Sequence, residues 1–259
     1  CQGMKLWLGF AAMLKKEIIL MRRYFVNSLG GIITIYIIFM LIFWGYTGLG
    51  GAGLQLGTTI DSLVVSYVTW LMLMMAWQTI PYTLLQETQE GTMEQLCMSP
   101  LGLTVLSAFK LIAGVLTDML VVIAMLALTM ATTGTSLNID IISLLPLILI
   151  ALMAVSGLGF FCGGITLMYK RIQSYLQIVQ FALIALVAAD PSPVFRWLPA
   201  TLPSHWIRMV MIKGQNLSYI PAGDWLTMLL SSLLYLFVGI AVFKLCEAKA
   251  RRQGTLGHF

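Results

Sequence analysis

IISLLPLILIALMAVSGLGFFCGGITLM, residues 141–168, runs for 28 residues without a charged side chain. A helix needs about 20 predominantly apolar residues to cross the hydrocarbon core of a bilayer. This run exceeds that length. Pro146, Gly157, Gly159, Gly163 and Gly164 predict a helix that is not straight, and Gly159-x-x-x-Gly163 is a close-packing signal between membrane helices. Five further apolar stretches surround it, at 28–47, 62–85, 103–131, 172–189 and 225–245. Those at 103–131 and 141–168 are longer than a straight crossing requires, so they tilt, bend or project. The stretch at 172–189 is short and ends in Asp190-Pro191-Ser192-Pro193, a strong stop. The fold expected is an all-α integral membrane protein with six transmembrane helices, residues 1–259 forming a single transmembrane domain.

Composition agrees. Hydrophobic residues make up 59% of the chain and charged residues 10%, whereas soluble domains carry about 25% charged residues. A core of this size cannot absorb so much apolar surface, so lipid is the solvent for much of it. The net charge of +5 does not point to nucleic acid, because the basic residues collect at the ends of the apolar stretches. Lys5, Lys15, Lys16, Arg22, Arg23, Lys110, Lys170, Arg171, Lys244, Lys249, Arg251 and Arg252 fall on one side, and only Arg196, Arg208 and Lys213 on the other. By the positive-inside rule both termini are cytoplasmic and the number of spans is even. Cys1, Cys97, Cys162 and Cys246 form no C-x-x-C pair and have no histidine cluster beside them, so free thiols are expected rather than disulfides or zinc. Met4 reads as the natural start, and no cleavable signal peptide is evident.

Two segments outside the spans have distinct patterns. Residues 4–24 are amphipathic: Lys5, Lys15, Lys16, Arg22 and Arg23 lie on one side, with Leu6, Phe10, Met13, Leu14, Leu20 and Met21 opposite. This suits a helix lying in the headgroup region, the plainer alternative being an ordinary cytoplasmic helix. Glu17 is out of place on the apolar side. Residues 190–224 form an external loop with five prolines and the apolar run Trp206-Ile207-Arg208-Met209-Val210-Met211-Ile212. That run is too short to cross. It either dips into the outer leaflet as a re-entrant segment before the last helix or forms a surface helix.

No G-x-x-x-x-G-K-[ST] occurs, so the chain does not bind ATP by a P-loop. H-E-x-x-H, G-x-S-x-G and a serine–histidine–aspartate set are also missing, and no catalytic or metal-binding residues are expected. The strongest functional candidate is Glu87-Thr88-Gln89-Glu90-Gly91-Thr92-Met93-Glu94, within a cytoplasmic segment 86–99. On a continuous helix Glu87, Glu90 and Glu94 fall within about 60° of one another. They form either a solvated face or a docking surface for a basic groove. Gly91 weakens a helix by ~1 kcal/mol if it lies mid-helix, which favours a bend there.

Within the spans, Asp118 carries a carboxylate whose insertion costs ~2.5–3.5 kcal/mol; it is buried against other helices or lines a path. Gln173, Gln177 and Gln180 share one face of the fifth span, where interhelical glue is the plain reading. Met72, Met74, Met75, Trp70 and Trp77 crowd the second span, a composition that suits adaptable binding as well as lipid contact.

Glu87-x-x-Glu90-Gly91-Thr92-x-Glu94-Gln95-Leu96, followed by Ser99-Pro100-Leu101, resembles the segment after the second span in type-2 permeases of ATP-binding-cassette (ABC) exporters. Arg22-Arg23-Tyr24 with Leu29-Gly30 is similar to their interfacial helix and first span. Leu198-Pro199…Leu202-Pro203 resembles their re-entrant region. Ala250-Arg251-Arg252-Gln253-Gly254-Thr255-Leu256-Gly257-His258-Phe259 looks like the close of drug-exporter-like members. An arginine often found between the positions of Glu87 and Gly91 is missing here. The resemblance implies a multi-pass subunit of a prokaryotic inner (plasma) membrane, paired with a second permease protomer and with separate ATPase subunits that hold ATP and Mg. This chain would carry no cofactor. Glu87, Glu90, Gly91, Thr92 and Glu94 would couple it to the ATPase, and the cargo would be a drug, antibiotic, lipid or other amphipathic molecule. For Gln173, Gln177 and Gln180 the resemblance implies, instead of glue, a lining of the substrate route or of the protomer contact. Export of a lipid-linked polysaccharide is the related alternative. An ion-coupled secondary transporter using Asp118 is the alternative from a different class.

Overall fold

The computed structural model describes residues 2–23, 25–48, 59–92, 96, 98, 99, 102–169 and 172–253. These form eight α-helices: α1 (Gln2–Arg23), α2 (Phe25–Gly48), α3 (Ile60–Gln89), α4 (Leu103–Thr133), α5 (Ile141–Met168), α6 (Gln173–Ala188), α7 (Thr201–Lys213) and α8 (Ala222–Gln253). Short 3₁₀ turns at Phe195–Trp197 and Leu217–Tyr219 flank α7. No strand occurs among the described residues. Glu94, Lys170, Arg171, Cys1, Cys97, Tyr24 and the tail 254–259 lie outside them.

Five helices, α2 to α5 and α8, are long and apolar enough to cross a membrane. The stretch expected at 172–189 is the apolar helix α6, which has 16 residues. At 1.5 Å per residue it extends about 24 Å, less than a ~30 Å hydrocarbon core.

Local signals set several helix ends. The Thr59 hydroxyl accepts from the amide of Ser62 at 3.3 Å and caps α3, with Asp61 in the first turn. Asp140 caps α5, accepting from the amide of Ile142 at 3.2 Å and from the Ser143 hydroxyl at 2.5 Å. Gly134 ends α4 in the left-handed conformation.

α3 is the central staff. In its most apolar window 78% of the residues are buried within the protein, against 6% for α2, which lies at the edge. Trp77, Leu63, Leu71 and Leu73 of α3 are wholly enclosed. α5 is one continuous helix through Pro146 and its four glycines, and the glycines serve close contact. A β-carbon added at Gly159 would lie 2.9 Å from the carbonyl oxygen of Trp77, and one at Gly163 2.7 Å from Cγ2 of Ile80. These two glycines therefore admit α3. One at Gly164 would lie 3.1 Å from Cα of Phe243 in α8, and one at Gly157 would run into the carbonyl oxygen of Tyr235. On the α8 side, a β-carbon at Gly239 would strike the carbonyl oxygen of Gly157. The helix packs by backbone approach on two sides, as small-residue motifs in lipid do.

Candidate functional site

α3 stops at Gln89, inside the acidic segment. Glu90 is its C-cap and Gly91 follows at φ +72°. The Thr92 amide donates to the Glu87 carbonyl at 3.0 Å and the Gly91 amide to the Thr88 carbonyl at 3.3 Å. That pair of bonds is a Schellman motif, in which glycine supplies the left-handed residue. The helix that carries Glu87 and Glu90 therefore does not run on past Gly91, and Glu94 lies outside the described residues. Gly91 ends the helix rather than bending it. Beyond the turn, Leu96 packs under the elbow against the cluster of Ile80, Leu84, Leu103 and Phe243. Since a β-carbon disfavours the left-handed region by ~1–2 kcal/mol, Gly91→Ala is expected to lower thermal stability in detergent by about 1 kcal/mol, and Gly91→Asn by less.

The two carboxylates take different partners. Glu87 is half-buried; it accepts a hydrogen bond from the Thr92 hydroxyl and an ion-paired one from Nζ of Lys16 at 3.4 Å. Glu90 is exposed and accepts from the Gln86 amide at 2.8 Å. Lys16 belongs to α1, so the amphipathic helix is tied to the end of α3. Its neighbour Glu17 pairs with Lys110 of α4, and both side chains are largely covered, 17% and 19% exposed. Phe10 meets Phe109 edge-on, with ring centroids 5.9 Å apart. The acid that looked misplaced on the apolar face of α1 is thus the residue that pins α1 to α4. The signal was present in the sequence: one carboxylate on an apolar stripe and one lysine inside the opening turns of a span.

The same end of the bundle gathers the last turns of α8. The Thr104 hydroxyl donates to Glu247 at 2.9 Å, and Glu247 also accepts from Arg251 at 2.7 Å. One end therefore holds α1, the elbow after α3, the start of α4 and the end of α8.

Asp118 lies two turns deeper in α4, half-buried beside Met72, Ala76, Met119 and Leu152. It is within electrostatic reach of Glu17 and Lys110, and no hydrogen bond reaches its carboxylate from a described residue. The glutamines are placed elsewhere. Gln180 turns inward, its side-chain amide 3.1 Å from the Met74 sulfur while its carbonyl accepts from Trp70 Nε1 at 3.4 Å. Gln173 and Gln177 are exposed. Of the three glutamines, Gln180 is the one that hydrogen-bonds to α3 among the described residues.

At the opposite end, α7 is buried rather than laid on the surface. Leu202, Trp206, Ile207, Val210 and Met211 join a cluster with Val65, Leu147 and Met228. Arg208 is covered and donates to the carbonyls of Ala188 and Ala189 at 3.3 and 3.2 Å, satisfying the last carbonyls of α6. Asp224, also buried, accepts from Trp206 Nε1 at 3.0 Å and pairs with Arg196. Burial, aided by the Arg208 charge, holds the His205 imidazole below its ordinary range against the pull of Asp190 and Asp224. Arg196, Arg208 and Asp224 went unrecognised in the sequence because proline-rich loops give no periodicity that would bring them together.

Among the described residues no group of three histidine, cysteine, aspartate or glutamate side chains is placed to hold a metal ion. The architecture defines a polytopic helical membrane protein whose polar organisation is concentrated at its two ends. Residues 52–243 match the family described as ABC-2 family transporter protein, so the chain belongs to that family. Membrane subunits of the family are generally paired with an ATPase subunit. A search of curated proteins finds no match to the sequence.

Proposed function

We propose that the chain is the permease subunit of an ABC exporter of the drug-exporter-like branch. It works as a dimer in a prokaryotic inner membrane with both termini in the cytoplasm, and it crosses that membrane six times. α6 is the fifth span, its crossing completed by local thinning of the bilayer, and α7 is a re-entrant segment held against α3 and α5. The cargo is an amphipathic molecule such as a drug, antibiotic or lipid. Asp118 and the glutamines of α6 lie along its path.

The observation that carries this reading is the double fastening of α1. Lys16 holds it to the elbow after α3, and Glu17 holds it to the start of α4. A force applied by an ATPase to α1 or to Glu90 is passed to two membrane helices at once. Glu87, Gly91 and Thr92 keep the elbow rigid, and Glu94 belongs with them to the proposed coupling residues.

One observation favours the ion-coupled alternative: the carboxylate of Asp118 lacks a hydrogen-bonding partner among the described residues, as a cation or proton site would. Proteoliposomes separate the two readings. With a fluorescent amphipathic dye as probe, uphill movement is expected only when the ATPase subunit and ATP are both supplied. Asp118→Asn should retain that dependence. Uphill movement driven by an ion gradient without nucleotide, and lost in Asp118→Asn, would establish the alternative.

A further inference from the structure

A groove of about 820 Å³ lies between the second half of α5 and the first half of α6, lined chiefly by Phe161, Ile165, Met168, Tyr169, Tyr175 and Val179. A second hollow of about 290 Å³ shares Ile165, Met168 and Tyr169 and extends to Leu245, Cys246 and Lys249 of α8. Together they make one apolar channel along the outside of the bundle, ending at a lysine.

The chemistry of the walls is one-sided. The lining offers hydrocarbon, sulfur and two phenols, and nothing that would hold a small polar solute. From Phe161 to Tyr169 the channel follows α5 for about 12 Å, close to the ~15 Å hydrocarbon depth of one leaflet. Tyr169 and Tyr175 are both exposed, as rings at headgroup level are. Lys249 is exposed and enters no ion pair among the described residues, whereas nearby Arg251 is held by Glu247. An apolar trough one leaflet deep with positive charge at its mouth is complementary to an acyl chain bearing a phosphate.

We propose that this channel is a docking site for an anionic phospholipid, with an acyl chain along α5 and α6 and the phosphate at Lys249. The lipid comes from the leaflet at the end where α8 terminates. The proposal does not depend on transport, on an ATPase or on which compartment that end faces.

The test uses the full-length protein in detergent with phosphatidylglycerol whose acyl chain carries a photoactivatable diazirine. Label is expected on peptides spanning 161–179. Unlabelled phosphatidylglycerol should displace it about fivefold better than phosphatidylcholine of the same chains, the preference one lysine at a membrane surface supplies. Lys249→Ala should erase that preference and Lys249→Arg should keep it. Ile165→Trp, which fills the point shared by the two hollows, should abolish labelling; the wild-type labelling pattern is decisive if that variant does not fold. Label spread evenly over α2 and α4, equal competition by the two lipids, or an unchanged preference in Lys249→Ala would overturn the proposal. So would a Tyr175→Cys disulfide between two copies with lipid label lost, since a second protomer would then cover the channel.

Discussion

Gly157→Leu is expected to prevent stable accumulation of the protein in the membrane. The β-carbon it introduces runs into the carbonyl oxygen of Tyr235, and the Gly157 carbonyl is itself covered by Gly239. Neither obstacle is a side-chain tip that can swing away; both are helix backbone. Overpacking a core costs ~1–3 kcal/mol when side chains can yield, and more when they cannot. Here α8 must move bodily away from α5, releasing Phe243 from Phe160, with ring centroids 5.5 Å apart, and from the cluster beneath the α3 elbow. Gly157→Ala is expected to fold with a loss at the upper end of that range. Gly31→Ala, where an added β-carbon meets nothing within 4 Å, is the control and should be near neutral. Thermal unfolding in detergent, alongside membrane yield, ranks the three.

The second large effect concerns the junction of α1 and α4. Glu17→Lys sets two ammonium groups against each other where both side chains are mostly covered. Breaking a buried ion pair costs ~3–5 kcal/mol; discounted for the partial exposure of this pair, about 1–3 kcal/mol remains. The bundle should survive, because no described side chain of α1 is fully buried. The functional loss should be greater: with α1 unpinned, coupled transport is expected to fall at least about tenfold, corresponding to 1.4 kcal/mol of lost coupling. The double exchange Glu17→Lys with Lys110→Glu restores opposite charges and should recover most of the activity. Membrane yield and thermal unfolding of the same variants separate the two roles: a fastening role loses transport while yield holds, and a merely structural one loses both together.

Five of the six expected spans were readable in the sequence, because long apolar runs leave little choice in lipid; the stretch at 172–189 forms a helix of only 16 residues. The 28 residues from 141 to 168 form a helix over that same range, and Gly159-x-x-x-Gly163 does mark a close approach, to Trp77 and Ile80. The acidic segment was readable in composition but not in shape. A helical projection puts Glu87, Glu90 and Glu94 on one stripe, yet Gly91 adopts φ +72° and stops the helix between them. Glycine permits either outcome, and the Schellman bonds decide it. The pairing of Glu17 with Lys110 spans 93 positions, beyond any local pattern, although the acid on an apolar face gave notice that a partner existed. The run 206–212 fits either a re-entrant segment or a surface helix, because a short apolar run alone cannot say what covers it. The structure covers α7 with α3, α5 and α6 and uses Arg208 to close the end of α6.

On the function proposed above, ATP hydrolysis on a partner chain drives this bundle through α1 and the elbow after α3. A photo-crosslinking amino acid placed at exposed Glu90, in protein purified from its own membranes, tests it most directly. A crosslink to a P-loop ATPase present in equal amount is expected, and none from the same probe at exposed Tyr219 on the opposite end. Glu90 reachable only by reagents confined to the extracytoplasmic side, or a preparation free of any ATPase that still moves the dye uphill, would contradict it.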